Sequence, residues 1–335
     1  MSEIESGGRA AAIRAHMGRE RQVLMRSHRC ALSLVAAVVA ALALAAGAAA
    51  QQRLTVINPD SAYPEGPSVV DGVLYYAEMG NDRVMRFDGK DNRQLWSRDG
   101  CGPTSVQPMG DGSLAVLCHR EEVVTLITRD GRDVKVIDRD RDGGDFRDPN
   151  AAVSDGRGGI YFSSSGLFAP GARATGAILH LSSAGTLTRE AEGIHYANGV
   201  AVSGDGRTLY ASEHLGRRVF AYDIDAEGRL SNRRTFVNLD DLDAPDPDRT
   251  WELGPDGLAM APDGNLVIAE YGAGHLLIVN GAGHLAATVN VPERYVTAAA
   301  FSADGRRLFI TAPASLVSPN SGAVYAIDYP VPSTP

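Results

Sequence analysis

Several enzyme signatures are missing from this chain. Its 335 residues contain no G-x-S-x-G elbow, no HExxH pair and no phosphate-binding glycine loop, which disfavours serine hydrolase, zinc protease and nucleotide chemistry. Positive charge is not in excess: 32 basic residues stand against 41 acidic ones, a formal net charge of −9. That balance argues against nucleic acid or an anionic membrane as a partner and suits the binding of a cation. Charged residues make up only 22%, too few for a disordered tail. Cysteine is scarce, with three in the chain, and no long helical period appears anywhere.

What is present begins with one long apolar run. Cys30 to Ala50 is uncharged, preceded by Arg26 and Arg29 and closed by Ala48-Ala49-Ala50. A basic flank, an apolar centre and a small-residue end form the pattern of a secretory signal cleaved before Gln51. A retained membrane anchor is the alternative, since the run nearly spans a bilayer. The stretch before Met25 is long for the first part of a signal, so Met17 and Met25 are candidate starts. The expected organisation is a signal peptide over 1–50 and one folded domain over 51–335, in the periplasm or secreted, with no stable membrane association after cleavage. That domain carries 26 basic and 38 acidic residues, a net of −12. Cys101 and Cys118 flank a hairpin turn expected at Gly110–Gly112. In an oxidising compartment they form a disulfide or remain two buried thiols.

Six times a β-rich run, an Asp-Gly pair and a second β-rich run follow one another: Asp71-Gly72, Asp111-Gly112, Asp155-Gly156, Asp205-Gly206, Asp263-Gly264 and Asp304-Gly305. Asp-Gly between apolar runs marks a hairpin. The strands VLYYAE, SLAVLC, GIYFSS, TLYASE, NLVIAE and RLFITA follow the turns, and third strands such as RVFAYDID follow most of those. Three or four antiparallel strands per unit predict an all-β fold, a six-bladed β-propeller; the regular repeat argues against a β-sandwich. The strand Arg53–Ile57 has no blade of its own, and the last blade, ending near Tyr329, lacks a fourth strand. Their pairing would close the ring and remove two exposed edges.

In a propeller the first strand of each blade lines the channel, so equivalent residues form a ring. The residue just before each first strand's apolar core is Glu65, Asn150, Asn198 and Asp256 in four blades, with Thr104 or Ser105 and Thr297 or Ala298 in the other two. Singly, such Asn-Gly and Asp-Gly pairs read as turns. Together they bring two carboxylates and two amides to one axis. Carboxylates facing each other out of water raise each other's pKa, and a cation removes that cost. All four offer oxygen and none is His or Cys, so calcium, or another hard divalent ion such as magnesium, fits better than zinc. Asp138 to Gly143 resembles the start of a calcium loop, but its twelfth position is Pro149 and no helices flank it, so it reads as a solvated inter-blade loop. The acidic stretch Asp240 to Asp248 reads as a surface loop near the channel mouth.

The segments PEGPSVVDGVLYYAE, DGGDFRDPN, ANGVAVSGDGRTLYASEHLGRRVFAYDID and GPDGLAMAPDGNLVIAEYGAGHL resemble the regucalcin/gluconolactonase/luciferin-regenerating-enzyme family over residues 60 to 328. The resemblance implies a calcium-dependent propeller whose ligands are Glu65, Asn150, Asn198 and Asp256, and a hydrolase of a small lactone or ester. Three departures stand out: Ala151 replaces an Asp, Phe162-Ser163-Ser164-Ser165 replaces F-T-D-P, and Asp148 stands where the regucalcin type has an Arg for sugar contacts. They put gluconolactone in doubt as the substrate. Asp256 and His119 are the candidate bases, and His195 and Thr104 the candidate substrate contacts. The alternative is a non-catalytic binding or scaffold propeller whose cation only stiffens the channel.

Overall fold

The computed structural model describes residues 53–242, 250–315 and 321–331. The apolar run Cys30 to Ala50, and residues 243–248 of the acidic stretch, lie outside the described residues. The chain is a six-bladed β-propeller of six four-stranded antiparallel sheets, five of which run from the channel outwards in sequence order while the sixth takes its outer strand from the other end of the described chain. The innermost strands of blades 1 to 6 are Pro64–Val70, Pro103–Pro108, Pro149–Ser154, Ala197–Val202, Gly254–Met260 and Ala298–Phe301. The closing pairing expected from sequence is present. Thr55–Asn58 supplies the outer strand of blade 6, with Thr55 opposite Ala326 and Val56 opposite Tyr325.

All six Asp-Gly pairs lie between the first and second strands of a blade. Asp71 and Gly72 both have positive φ, 51° and 78°, joining Val70 to its partner Val73 through a two-residue type I′ turn. In the other five only the glycine is left-handed, and the Asp carboxylate instead accepts a backbone N–H from two residues on, as Asp111 does from Ser113 and Asp304 from Arg306.

The second strands are apolar without alternation because both of their faces are covered. In blade 1, Leu74 and Tyr76 pack against Phe309, Val324 and Ala326 of blade 6, while Tyr75 and Ala77 pack against Val106, Leu114 and Val116 of blade 2. The same division recurs around the ring, so the protein has one core per blade interface. Each interface holds its neighbours' first strands at a fixed angle about the channel, and the site depends on that spacing.

Cys101 and Cys118 form a disulfide, both fully buried, with Cα atoms 4.5 Å apart. Cys118 ends the second strand of blade 2. At the same station blades 1, 4 and 5 carry the buried carboxylates Glu78, Glu213 and Glu270, which pair with Arg83, Arg218 and Arg217. Blade 2 thus ties its inner end covalently where three other blades use an ion pair.

Candidate metal centre and channel cavity

The first strands are irregular at one repeated station. Their pairing slips between Glu65 and Ser68, Pro103 and Ser105, Pro149 and Ala152, Ala197 and Val200, and Pro255 and Leu258. A bulge bends a strand and re-aims its side chains, and at these bulges stand Glu65, Thr104, Asn150, Asn198 and Asp256. Blade 6 has no slip, and Ala298 pairs regularly with Thr311. Two positions before the bulge residue, Tyr63, Gly102, Asp148 and Tyr196 have φ of 52°, 55°, 49° and 59°. For a residue with a side chain that conformation costs about 1–2 kcal/mol, and such strain gathers where a side chain must be aimed.

The glycines that follow Glu65, Asn198 and Asp256 act in packing. A Cβ on Gly199 would fall 2.2 Å from the Asp256 carbonyl oxygen, one on Gly257 2.6 Å from the Thr297 carbonyl oxygen, and one on Gly66 2.1 Å from the Thr104 carbonyl oxygen. Read from sequence as turn formers, they lie inside strands and let adjacent blades touch backbone to backbone. Hydroxyls complete the belt: Thr104 Oγ1 donates to Pro149 O (3.0 Å), Ser165 Oγ to Ala197 O (2.7 Å), Ser212 Oγ to Asp256 O (2.8 Å) and Thr297 Oγ1 to Pro64 O (2.8 Å).

Glu65, Asn150, Asn198 and Asp256 are all buried and line one cavity of about 110 Å³ on the axis. Burial, then the Asp256 charge, pushes the Glu65 carboxyl well above its usual range, against the opposing Gly66 N–H. Burial likewise raises Asp256, partly offset by hydrogen bonds from the Asn198 amide and the Gly257 N–H. With its Nδ2 turned to Asp256, Asn198 leaves Oδ1 buried and without a hydrogen-bond partner among the described residues. Two carboxylates destabilised by burial and an orphaned amide oxygen are the environment that a hard divalent cation satisfies, so the donor set fits the ion.

Thr104 and His119 also line the cavity. The Thr104 hydroxyl is committed to Pro149 O. His119 places Nδ1 3.3 Å from Pro149 O and Nε2 3.8 Å from Asp148 Oδ1, and burial lowers its pKa against the pull of Asp148. His195 does not line this cavity. Its ring lies 3.3 Å from Glu213 Oε1 and lines a separate depression of about 740 Å³ with Leu215, Arg218 and Trp251. The positive φ of Tyr196 turns the neighbouring side chain, Tyr196, toward the channel in its place.

Of the upper wall, sequence reasoning named His119 alone and missed the rest. The residue following the second strand is Met79 in blade 1, His119 in blade 2 and His214 in blade 4; all three line the cavity, and their N–H groups bond the carbonyls of Tyr63, Gly102 and Tyr196. The shared repeat station of His119 and His214, CH after one strand and EH after the other, was the available signal. Tyr63, Phe168, Tyr196 and Tyr271 complete an aromatic rim, with the Tyr63 and Tyr271 hydroxyls 3.1 Å apart. The serines of blade 3 are used internally: Ser163 Oγ accepts the Ala151 N–H, and Ser164 Oγ donates to Arg147 O.

A propeller whose channel is ringed by buried oxygen donors defines a class of axial-site β-propellers. Within it, the chain belongs to the SMP-30/gluconolactonase/LRE-like family, whose sequence model matches residues 63–314. Among curated proteins it is 25% identical to a pentonolactonase of Haloferax volcanii over 71% of this chain and 76% of that one. It is 31% identical to an L-arabinolactonase of Azospirillum brasilense over 48% of this chain and 51% of that one. Among solved structures, a gluconolactonase from Xanthomonas campestris superposes with a TM-score of 0.68 at 21% identity, covering 84% of this chain and 90% of that one. A calcium-binding regucalcin from Agrobacterium tumefaciens superposes at 0.64 with 18% identity, covering 84% and 96%.

Proposed function

We propose that this protein hydrolyses a small lactone or related ester at the channel cavity, with Glu65, Asn150, Asn198 and Asp256 holding a divalent cation, calcium by the hardness of the donor set. One observation carries the reading: four oxygen-bearing side chains from four blades line a single buried cavity, with Asn198 Oδ1 unsatisfied. The lactonase names of the curated relatives support the reaction class. When bound, the cation would supply Lewis-acid polarisation of the ester carbonyl and a lowered pKa for water.

The chain's own residues divide the remaining work. Asp256, beside the Asn198 amide, is a ligand and a candidate base in the cavity. His119 is the second candidate base, oriented between Pro149 O and Asp148. The aromatic rim of Tyr63, Phe168, Tyr196 and Tyr271 excludes water and offers flat faces to a small ring. The partner is a small molecule, and the leader Cys30 to Ala50 supports export to the periplasm or beyond.

The test is a panel of aliphatic lactones, aldonolactones and aryl esters assayed with and without EDTA, then with calcium, magnesium or zinc restored. The expected result is turnover lost to EDTA and recovered best with calcium. Turnover indifferent to EDTA would refute the metal site, and none across the panel would favour a non-catalytic binding propeller.

A further inference from the structure

His214 is buried to 1% exposure inside the cavity wall. Its Nε2 lies 2.8 Å from Glu252 O. A carbonyl can only accept, so Nε2 carries the ring proton and Nδ1 is left as a bare acceptor. That Nδ1 has no hydrogen-bond partner among the described residues. The ring is fixed on several sides: Phe168, Tyr196 and Tyr271 stand 5.2, 5.7 and 5.6 Å away, all near edge-on or steeply inclined. Gly254 leaves room for its Cδ2 edge, which a Cβ there would approach to 2.8 Å. Nδ1 is on the opposite edge of the ring from Cδ2.

A buried acceptor without a partner costs about 1–3 kcal/mol, and nothing in the packing recovers that cost. The equivalent histidine in blade 2 differs, because both nitrogens of His119 have oxygens nearby. Burial also lowers the His214 pKa to about 4, so the ring stays neutral and keeps its acceptor at physiological pH.

We propose that His214 Nδ1 accepts a hydrogen bond from a hydroxyl of the bound substrate, making His214 a specificity residue for lactones that carry a hydroxyl on the ring. The proposal rests on the hydrolase reading for the word substrate, but not for the binding geometry. A site built to pair with a hydroxyl rejects the analogue without it, because the buried acceptor is then stranded.

The experiment separates binding from turnover by using lactams, which mimic the lactone ring and resist hydrolysis. Affinities of 3-hydroxypyrrolidin-2-one and pyrrolidin-2-one are measured by calorimetry for the calcium-loaded full-length protein and for His214→Phe. The expected wild-type preference for the hydroxylated ring is at least about tenfold, the size of one hydrogen bond, and it disappears in His214→Phe. Folding is checked by melting, and 15N NMR of histidine-labelled wild type gives a variant-free readout: the Nδ1 resonance moves with the hydroxylated lactam and not with its partner. Equal or undetectable binding of the two lactams by wild type overturns the proposal, as does a preference that survives in His214→Phe. A protein that shows the preference but cleaves no lactone keeps this assignment and loses the hydrolase one.

Discussion

Glu65 of blade 1 and Asp256 of blade 5 face one buried cavity, and the charge on Asp256 helps push the Glu65 carboxyl well above its ordinary range. Both folded-state pKa values are raised, so without metal the native state holds protons that the unfolded chain releases. The metal-free protein therefore keeps its stability below the unfolded carboxylate range and loses it as pH rises from there toward the raised folded values. Thermal melts in EDTA should show a higher midpoint at pH 5 than at pH 8, and added calcium should raise the midpoint more at pH 8. A calcium response equal at both pH values would contradict the paired-carboxylate site.

Asp256→Asn keeps the shape of the side chain and removes its charge. In EDTA the variant should melt higher than wild type, by about 2–4 °C for each kcal/mol of repulsion relieved. With calcium its lactone turnover should fall by at least about 100-fold, since a charged ligand is more important than the outer groups whose loss costs 10–100-fold. Melting curves and initial rates on the same preparations decide it.

Gly257→Ala tests the backbone contact between blades 5 and 6. The added methyl would sit 2.6 Å from both Thr297 O and Ala298 Cβ, and overpacking of that kind costs about 1–3 kcal/mol or more. Gly264→Ala is the control: its φ is +86° and nothing lies within 4 Å, so only the backbone cost of about 1–2 kcal/mol applies. Urea unfolding should rank Gly257→Ala as the more damaging, and calcium affinity should drop in that variant alone.

The Cys101–Cys118 disulfide closes a loop of sequence separation 17. Replacing both residues with Ala should lower unfolding free energy by about 3 kcal/mol on the loop-entropy account, read from urea curves with and without reductant. Reductant should leave the double variant unchanged.

The blades were legible in the sequence because they are local: an Asp-Gly pair and two apolar runs specify a hairpin with no long-range information. The ring of Glu65, Asn150, Asn198 and Asp256 was legible because a repeat places equivalent residues at equivalent depth. Their convergence on one cavity follows from that register. What the repeat could not convey depends on contacts between blades. Gly199 reads as half of an Asn-Gly turn until Asp256 O is seen where its Cβ would be. Thr104 lines the cavity as its repeat position predicts, but that its hydroxyl also bonds Pro149 O of the next blade cannot be read from the repeat. His195 and His214 are equally polar in the sequence, and only the left-handed backbone at Tyr196 and the strand end at Glu213 decide which one turns inward. The aromatic rim escaped for the same reason, being assembled from loop and strand-end residues of blades 1, 3, 4 and 5.

The strand Thr55–Asn58 completes the sheet that ends with Gly322–Asp328. During synthesis, then, the earliest-made of the described strands must wait for nearly the whole polypeptide before its partner exists. Until that moment the ring is an open arc with two unsatisfied edges, vulnerable to pairing with other chains, and its slowest folding step is the contact with the greatest separation along the chain. A ribosome stalled before residue 322 would leave an arc whose cavity has walls but no fixed diameter.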